Sequence, residues 1–348
     1  MRIASPFQSM SQAKEELRWA LIGASDIAKT RMIEAINSQP NSRVAAVFSS
    51  NAERAKAYAA ENKIPKPYDS LKTLLEDPEI DIVYISTTND LHCEQALAAA
   101  AAGKHILCEK PLALSLTDAR EILNAAQTAK LVLGTNHHLR NAVTHRTLRK
   151  LVKEGAIGKP LAARVYHAVY LPPRLQGWRL SRPEAGGGVI LDITVHDADT
   201  LRFVLDSEVE DVIARSATQG LASGGMEDAV MGVMYFQDGV LAQFHDAFTI
   251  KHAPTGLEVH GTEGSLFAVN VMTQDPVGQV VLRRDNDETE IKLDPPEDLY
   301  VHSIRHFNQA VLTGTQPFAT GADGFRSLAI ALAALESTKS GHRTAVAK

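Results

Sequence analysis

Between residues 17 and 134 the chain repeats one pattern: a short apolar run, a turn, and then a helical stretch. The apolar runs fall at 17–23, 43–48, 80–86, 105–108 and 131–134, with helical patterns at 25–36, 52–61, 91–102 and 117–129. This repeat constrains the fold more than any other feature. A chain that leaves one strand through a helix re-enters the sheet from the same end, so the strands must be parallel and the crossovers right-handed. A parallel sheet needs helices on both faces, and ligands then bind beyond the carboxyl ends of its strands. Residues just after each strand are therefore the first candidates for function.

The first such turn is Gly23-Ala24-Ser25-Asp26-Ile27-Ala28. It departs from the dinucleotide fingerprint at Ser25, which stands where the middle glycine is usual. Its setting between a strand and a helix is the required one, because backbone amides and the helix N-terminus can meet a pyrophosphate. The exit of the second strand carries Ser49, Ser50 and, a turn later, Arg54. An acidic residue at this point would bond the ribose hydroxyls and repel a 2′-phosphate. Two hydroxyls and a guanidinium suit a phosphate instead, which points to NADP(H). The same residues also fit a plainer reading, in which the serines cap the next helix and Arg54 sits on its solvated face. The run Ser86-Thr87-Thr88-Asn89-Asp90-Leu91-His92 caps a helix and also lies at the sheet's carboxyl edge, so both roles stay open. After the fifth strand, Asn136 is the candidate for the nicotinamide end.

The fourth strand closes on Cys108-Glu109-Lys110-Pro111. A charged lysine directly before a proline, at the carboxyl edge of an apolar strand, reads as functional. Far downstream, Gly186-Gly187-Gly188 opens a segment in which Asp192 and His196 are four residues apart, hence on one face of a helix. A carboxylate beside an imidazole orients it and favours its protonated form. His137, His138, Asp192, His196 and His245 raise the question of a metal. The adjacent pair His137 and His138 would point apart on a strand, and these five positions hold no HxxxH spacing or cysteine cluster, so no metal site is expected.

From residue 160 the pattern changes to strand-like runs at 161–171, 209–218, 229–236, 239–248, 256–260, 264–269 and 277–283, without regular intervening helices. Such runs imply a large, mostly antiparallel open sheet. Helices are expected at 142–154, 192–205, 299–312 and 321–338. The fold class is thus an α/β Rossmann dinucleotide-binding domain followed by an α+β domain. The expected divisions are a polar, disordered extension at 1–16, a cofactor domain at 17–140 and a substrate domain at 141–340.

With 348 residues the chain is long enough for two domains of ordinary size. Its 36 basic residues balance 41 acidic ones without long runs of either sign. Neither nucleic acid nor an anionic membrane is the expected partner, which leaves a small molecule. Cys93 and Cys108 are too few for a secreted disulfide framework. No apolar run approaches the ~18 residues of a membrane span. A soluble, cytoplasmic protein is expected, as a monomer or homodimer.

The turn at 23–28, the Glu109-Lys110-Pro111 motif and the run from Gly186 to His196 together resemble the glucose-fructose oxidoreductase, inositol dehydrogenase and rhizopine catabolism (Gfo/Idh/MocA) family. Further runs carry the likeness, notably 132–141, 166–173, 175–180, 242–248 and 258–266, so that it extends from about Leu17 to about Leu335. The resemblance implies an NADP-binding Rossmann domain, a carboxy-terminal sheet domain and a sugar held between them. Carried over position by position, it implies cofactor contacts at Ala24, Ser25, Asp26, Ile27, Ser49, Ser50, Arg54, Thr87, Thr88, Asn89, His92, Glu109, Lys110, Asn136, Trp178, Arg179 and Tyr300, beside Gly23 of the turn. It implies a catalytic group of Lys110, Asp192 and His196. His196 is expected to donate the proton, Asp192 to orient the imidazole or the substrate hydroxyls, and Lys110 to polarise the carbonyl of a keto sugar during reduction. A swap between Lys110 and His196 is also open, as are another sugar or inositol dehydrogenation with NAD, a non-catalytic NADP-binding regulator, and a Schiff-base aldolase built on Lys110.

Overall fold

The structure, a computed structural model, describes residues 16–348. The expectation for the extension therefore lies outside the described residues, apart from Glu16. The first part of the chain forms a parallel sheet of β1 (Leu17–Ile22), β2 (Ser42–Phe48), β3 (Lys66–Tyr68), β4 (Ile82–Ile85), β5 (His105–Cys108) and β6 (Leu133–Thr135), in the order β3-β2-β1-β4-β5-β6. This is the doubly wound order in which the chain reverses direction between β1 and β4 and opens a crevice at their carboxyl ends. Five of these strands were legible as apolar runs. The sixth, β3, is only Lys-Pro-Tyr. Its proline removes a ladder donor, and the strand pairs with β2 alone, at the sheet edge where that loss is tolerated.

Alternation along the strands divides the core into two faces. In β1, Trp19 and Leu21 belong to one apolar cluster and Ala20 and Ile22 to the other; in β4, Ile82 and Tyr84 face one way and Val83 and Ile85 the other. The second of these faces is covered by helices His92–Ala101 and Leu116–Thr128. The first is covered by the helix that runs through Ala28–Met32 and Ile33–Asn37, and also by Leu299–Thr313, which returns from the far end of the chain. There Phe307 packs on Trp19 with ring centroids 5.4 Å apart, and Trp19 Nε1 donates to Asn308 Oδ1 at 3.2 Å.

The second sheet has nine strands: β7 (Pro160–Ala168), β8 (Val209–Ala217), β9 (Ala229–Phe236), β10 (Leu241–Ala247), β11 (Gly256–Gly261), β12 (Ser265–Val269), β13 (Gln279–Arg284), β14 (Asp287–Glu290) and β15 (Thr344–Ala345). Their order is β14-β13-β12-β11-β7-β10-β9-β8-β15, antiparallel throughout except for β7 beside β10. The expected open, mostly antiparallel sheet is what forms. Strands β14 and β15 were not anticipated: the first is four exposed polar residues and the second has only two residues, so neither carries an apolar alternation.

Helices Val195–Leu205 and Gly321–Ser340 lie between the sheets. The second approaches β6 so closely that a Cβ on Gly324 would stand 2.1 Å from Thr135 Oγ1. Arg140 joins the two helices, reaching Asp199 through two 2.7 Å bonds and Asp323 at 2.9 Å. The two sheets therefore meet across a packed seam. Phe307→Ala should cost about 3–5 kcal/mol by emptying the space against Trp19, read as a lower midpoint in chemical unfolding. A midpoint equal to wild type would mean that Leu299–Thr313 contributes nothing to the first sheet.

Candidate functional site

At the first turn Gly23 holds φ +112°, and a Cβ there would lie 3.1 Å from the Ser86 carbonyl group. Only glycine suits this position. Ser25 Oγ accepts from the Ala28 amide at 3.2 Å and lies 2.7 Å from Ser86 Oγ, so its side chain caps the helix. Asp26 and Ile27 open that helix, and their amides have no carbonyl one turn earlier to bond. Asp26 pairs with Arg174 from the second half of the chain. Past β2, it is Asn51 that caps helix Ala52–Glu61, accepting from the Arg54 amide at 2.9 Å. The capping role that the sequence also allowed Ser49 and Ser50 is thus filled by another residue. Arg54 Nη2 donates to Ala24 O at 2.7 Å and ties the exit of β2 to the first turn.

After β4, Thr87 Oγ1 bonds Gln95 at 2.8 Å, and Thr88 leads into the short turn Asn89–Leu91 without a side-chain cap. Asn89 Nδ2 donates across the seam to Gly186 O at 3.1 Å. His92 is completely buried, and its Nδ1 lies 2.9 Å from Pro111 O. Burial pushes its imidazole down to about 4. Its side chain braces the Lys110–Pro111 segment from behind.

Glu109 accepts from Tyr84 Oη at 2.5 Å and from Asn136 Nδ2 at 2.6 Å, and burial raises its carboxyl against those donors. Asn136 Oδ1 and Tyr300 Oη are buried without a partner among the described residues, and Tyr300 stacks on His138 at 5.3 Å. The glycine turn, the free first amides of the helix and the orphaned Asn136 carbonyl fit a dinucleotide lying along the carboxyl edge of the first sheet.

Lys110 crosses the seam. Its Nζ donates at 2.7 Å to Asp192 Oδ1 and, at the same distance, to Asp192 O. Arg179 stands over the Trp178 ring at 4.7 Å and brings its Nε to 3.4 Å from Asp192 Oδ2. Burial pushes the Asp192 carboxyl up, but the Lys110 and Arg179 charges outweigh it and hold the group at about 2. Lysine has three N–H donors and two are used here, so one is left for an incoming oxygen.

The expected pairing of Asp192 with His196 is not what forms. The helix begins with a π turn, Ile190–Thr194, which alters the angular phase between the two positions from that of a regular α-helix. The carboxylate goes to Lys110 and Arg179, and His196 Nδ1 is buried without a partner among the described residues. The imidazole is not driven toward its protonated form either. Burial first, and then the Lys110 charge, push it well below its ordinary value. It stands among other rings: His138 at 4.7 Å, His137 at 6.2 Å and His167 at 6.4 Å between centroids. Among the described residues no group of three or more His, Cys, Asp or Glu is arranged to hold a metal ion.

Sequence reasoning from the residues did not single out His167 on β7 or Asp246 on β10. The signal was present. Alternation turns Ala163, Val165 and His167 inward on β7, and Ala242, Phe244 and Asp246 inward on β10. A histidine and an aspartate on inward-facing positions mark a polar site within a core.

Because Asp192 is held below its usual 3.8, the stabilisation from its pairing is complete above that value and is lost as pH falls toward 2. Between pH ~5 and pH ~2 the stability of wild type relative to Asp192→Asn should therefore fall by about 2 kcal/mol. Urea unfolding at each pH measures this, and a pH-independent difference would rule the pairing out.

A family model described as an oxidoreductase family with an NAD-binding Rossmann fold matches residues 17–137. A second, for the GFO/IDH/MocA C-terminal domain, matches residues 145–267. The chain is 58% identical to the 1,5-anhydro-D-fructose reductase of Ensifer adhaerens over 324 residues, 93% of this chain and 97% of that protein. It is 30% identical to the myo-inositol 2-dehydrogenase of Thermotoga maritima, over 79% of this chain and 82% of that one. Among solved structures, the aldose-aldose oxidoreductase of Caulobacter crescentus superposes with a TM-score of 0.87 at 25% identity, covering 95% of this chain and 99% of the other.

Proposed function

The chain belongs to the GFO/IDH/MocA family of NAD(P)-binding Rossmann oxidoreductases, and from that premise we propose that it reduces the C2 carbonyl of 1,5-anhydro-D-fructose to 1,5-anhydro-D-mannitol with NADPH. The observation that carries this reading is the Lys110–Asp192 pair. It sets a cation from the carboxyl edge of the cofactor sheet against an acid from the second half of the chain, with a lysine donor to spare. High identity to an anhydrofructose reductase supports the substrate.

The cofactor, when bound, supplies the hydride. Gly23 and the first amides of the adjacent helix would hold its pyrophosphate, and Asn136 would meet the carboxamide of its nicotinamide. Ser49, Ser50 and Arg54 at the exit of β2, with no acid among them, favour a 2′-phosphate over bare ribose hydroxyls. Tyr300 lies behind His138, and Trp178 with Arg179 would close over the nicotinamide end.

As the carbonyl oxygen gains negative charge it needs a donor and then a proton. Lys110 supplies both in this mechanism. An alkoxide is a far stronger base than an amine, so an ammonium protonates it downhill, and Asp192 keeps Lys110 in place. This exchanges two of the expected roles. A buried His196 that disfavours its charged form is a poor proton source, but a neutral imidazole still offers one N–H to orient the sugar. The aldolase reading loses its basis, since Lys110 is engaged by a carboxylate rather than left free as an amine nucleophile.

The partner is a small sugar rather than a nucleic acid or membrane, and the chain acts in the cytoplasm as a monomer or homodimer. Among the described residues no helix is long and apolar enough to cross a membrane.

Initial rates with NADPH and NADH across anhydrofructose, other 2-keto sugars, inosose and simple diketones test the assignment, and turnover of inosose with NADH alone would reject it. Lys110→Met should lower kcat by about 10³-fold or more, while His196→Asn should leave the pH profile in place at a reduced rate. A profile displaced by His196→Asn would return proton donation to the imidazole. Arg54→Ala should raise KM for NADPH and leave that for NADH nearly unchanged; equal effects on both would remove Arg54 from the phosphate site.

A further inference from the structure

Beneath the helix that carries Asp192 and His196 lies a second polar group, which the mechanism above does not use. His167 on β7 and Asp246 on β10 are register partners in the single parallel pair of the second sheet, and both point inward. Asp197 comes down on them from the helix. His167 Nδ1 lies 2.9 Å from Asp197 Oδ1, and Thr194 Oγ1 donates to Asp246 Oδ2 at 2.6 Å. Both carboxyls are fully buried, and their remaining oxygens, Asp197 Oδ2 and Asp246 Oδ1, have no donor among the described residues.

We propose that Asp197 and Asp246 share one buried proton, and that this pair acts as a positioning element by deciding which ring nitrogen of His167 carries hydrogen. With one proton between Asp197 Oδ2 and Asp246 Oδ1, every bond in the group closes. Thr194 donates to Asp246, Asp246 donates to Asp197, and His167 donates from Nδ1 to Asp197, leaving Nε2 as an acceptor. With no proton, two like charges would sit together away from water with two orphaned oxygens, a costly state. With a second proton on Asp197, the acceptor left to it is His167 Nδ1. That nitrogen accepts only as the other tautomer, with its hydrogen on Nε2. The second proton therefore turns Nε2 from acceptor to donor.

The groups around this cluster are consistent with such a switch near neutrality. Burial pushes Asp197 up to about 7 and, with the neighbouring Asp197 carboxyl, pushes Asp246 well above its ordinary value. His167 is pushed down to about 4, first by burial and then, among its charged neighbours, by Lys110, while Asp246 and Asp192 act in the opposite direction. His138 and His145, which face His167 from the loop after β6 and from helix Val143–Lys153, are held neutral by burial, as is His196. The imidazole thus stays uncharged while its tautomer changes. A sugar hydroxyl meeting Nε2 would find an acceptor above neutrality and a donor below it; this kinetic consequence rests on the reductase reading, whereas the tautomer itself does not.

The test is a two-bond ¹H–¹⁵N correlation of the histidine rings in ¹⁵N-labelled protein without sugar or cofactor, from about pH 9 to about pH 5.5. His167 is identified as the signal missing from His167→Gln. It should show hydrogen on Nδ1 at high pH and convert to Nε2–H as pH falls. In Asp197→Leu no carboxyl remains against Nδ1 to take the second proton, so the His167 tautomer should be the same at every pH. In the same variant the pH dependence of KM for the sugar should flatten on its acid side. A His167 tautomer that is constant across the range in wild type overturns the proposal without any variant, as does an Asp197→Leu protein whose His167 titrates like wild type. A tautomer switch in a protein that reduces no sugar would instead overturn the reductase reading alone.

Discussion

The contact on which the site depends is the bond from Lys110 to Asp192, made across the seam between two sheets. Neither residue is functional alone. A lysine at the carboxyl edge of a parallel sheet is a mobile cation on a flexible stem, and a buried carboxylate without a partner would take up a proton. Paired, each fixes the other's charge and position. The surrounding structure serves this pairing: His92 braces the Lys110–Pro111 segment, Glu227 Oε1 accepts from the amide of Ile190 at the start of the π turn, and Arg140 locks the two helices of the seam.

Much of the fold was legible because each half repeats a periodic signal. Strands buried on both faces show as unbroken apolar runs, and strands of an open sheet show as alternation. What escaped notice lacked that signal: β3, β14 and β15 are short, polar or interrupted by proline. At the site, Lys110 was legible from its unusual place before Pro111. Asp192 was legible as a site residue but not in its partner, because a spacing of four implies a shared face only in a regular α-helix, and a π turn intervenes. His92 illustrates a different loss. Its position after a strand pointed toward ligand, whereas its contact with Pro111 O, which tertiary packing makes, could be read from no local pattern.

The histidines show how an environment selects chemistry. Several imidazoles crowd the seam, and a sequence rich in them invites readings based on metal binding or general acids. Enclosed in an apolar setting beside a lysine, they are held neutral, so positive charge near the cleft resides on Lys110 and Arg179. The rings then contribute shape and directed N–H and lone-pair groups rather than charge, which suits recognition of sugar hydroxyls.

The return of Leu299–Thr313 to the first sheet has a consequence for how the protein is made. Trp19 and Asn308 are separated by 289 positions along the chain. A ribosome releases the strands and helices of the cofactor half long before it delivers the helix that covers one of their faces. During that interval the part of the face that Leu299–Thr313 covers, Trp19 included, lies open beside the local helix at 28–37, and a nascent chain in this condition is a natural client for chaperones that bind exposed apolar surface. Completion of the first half thus waits on synthesis of nearly the whole second half, and the two acquire their final form together.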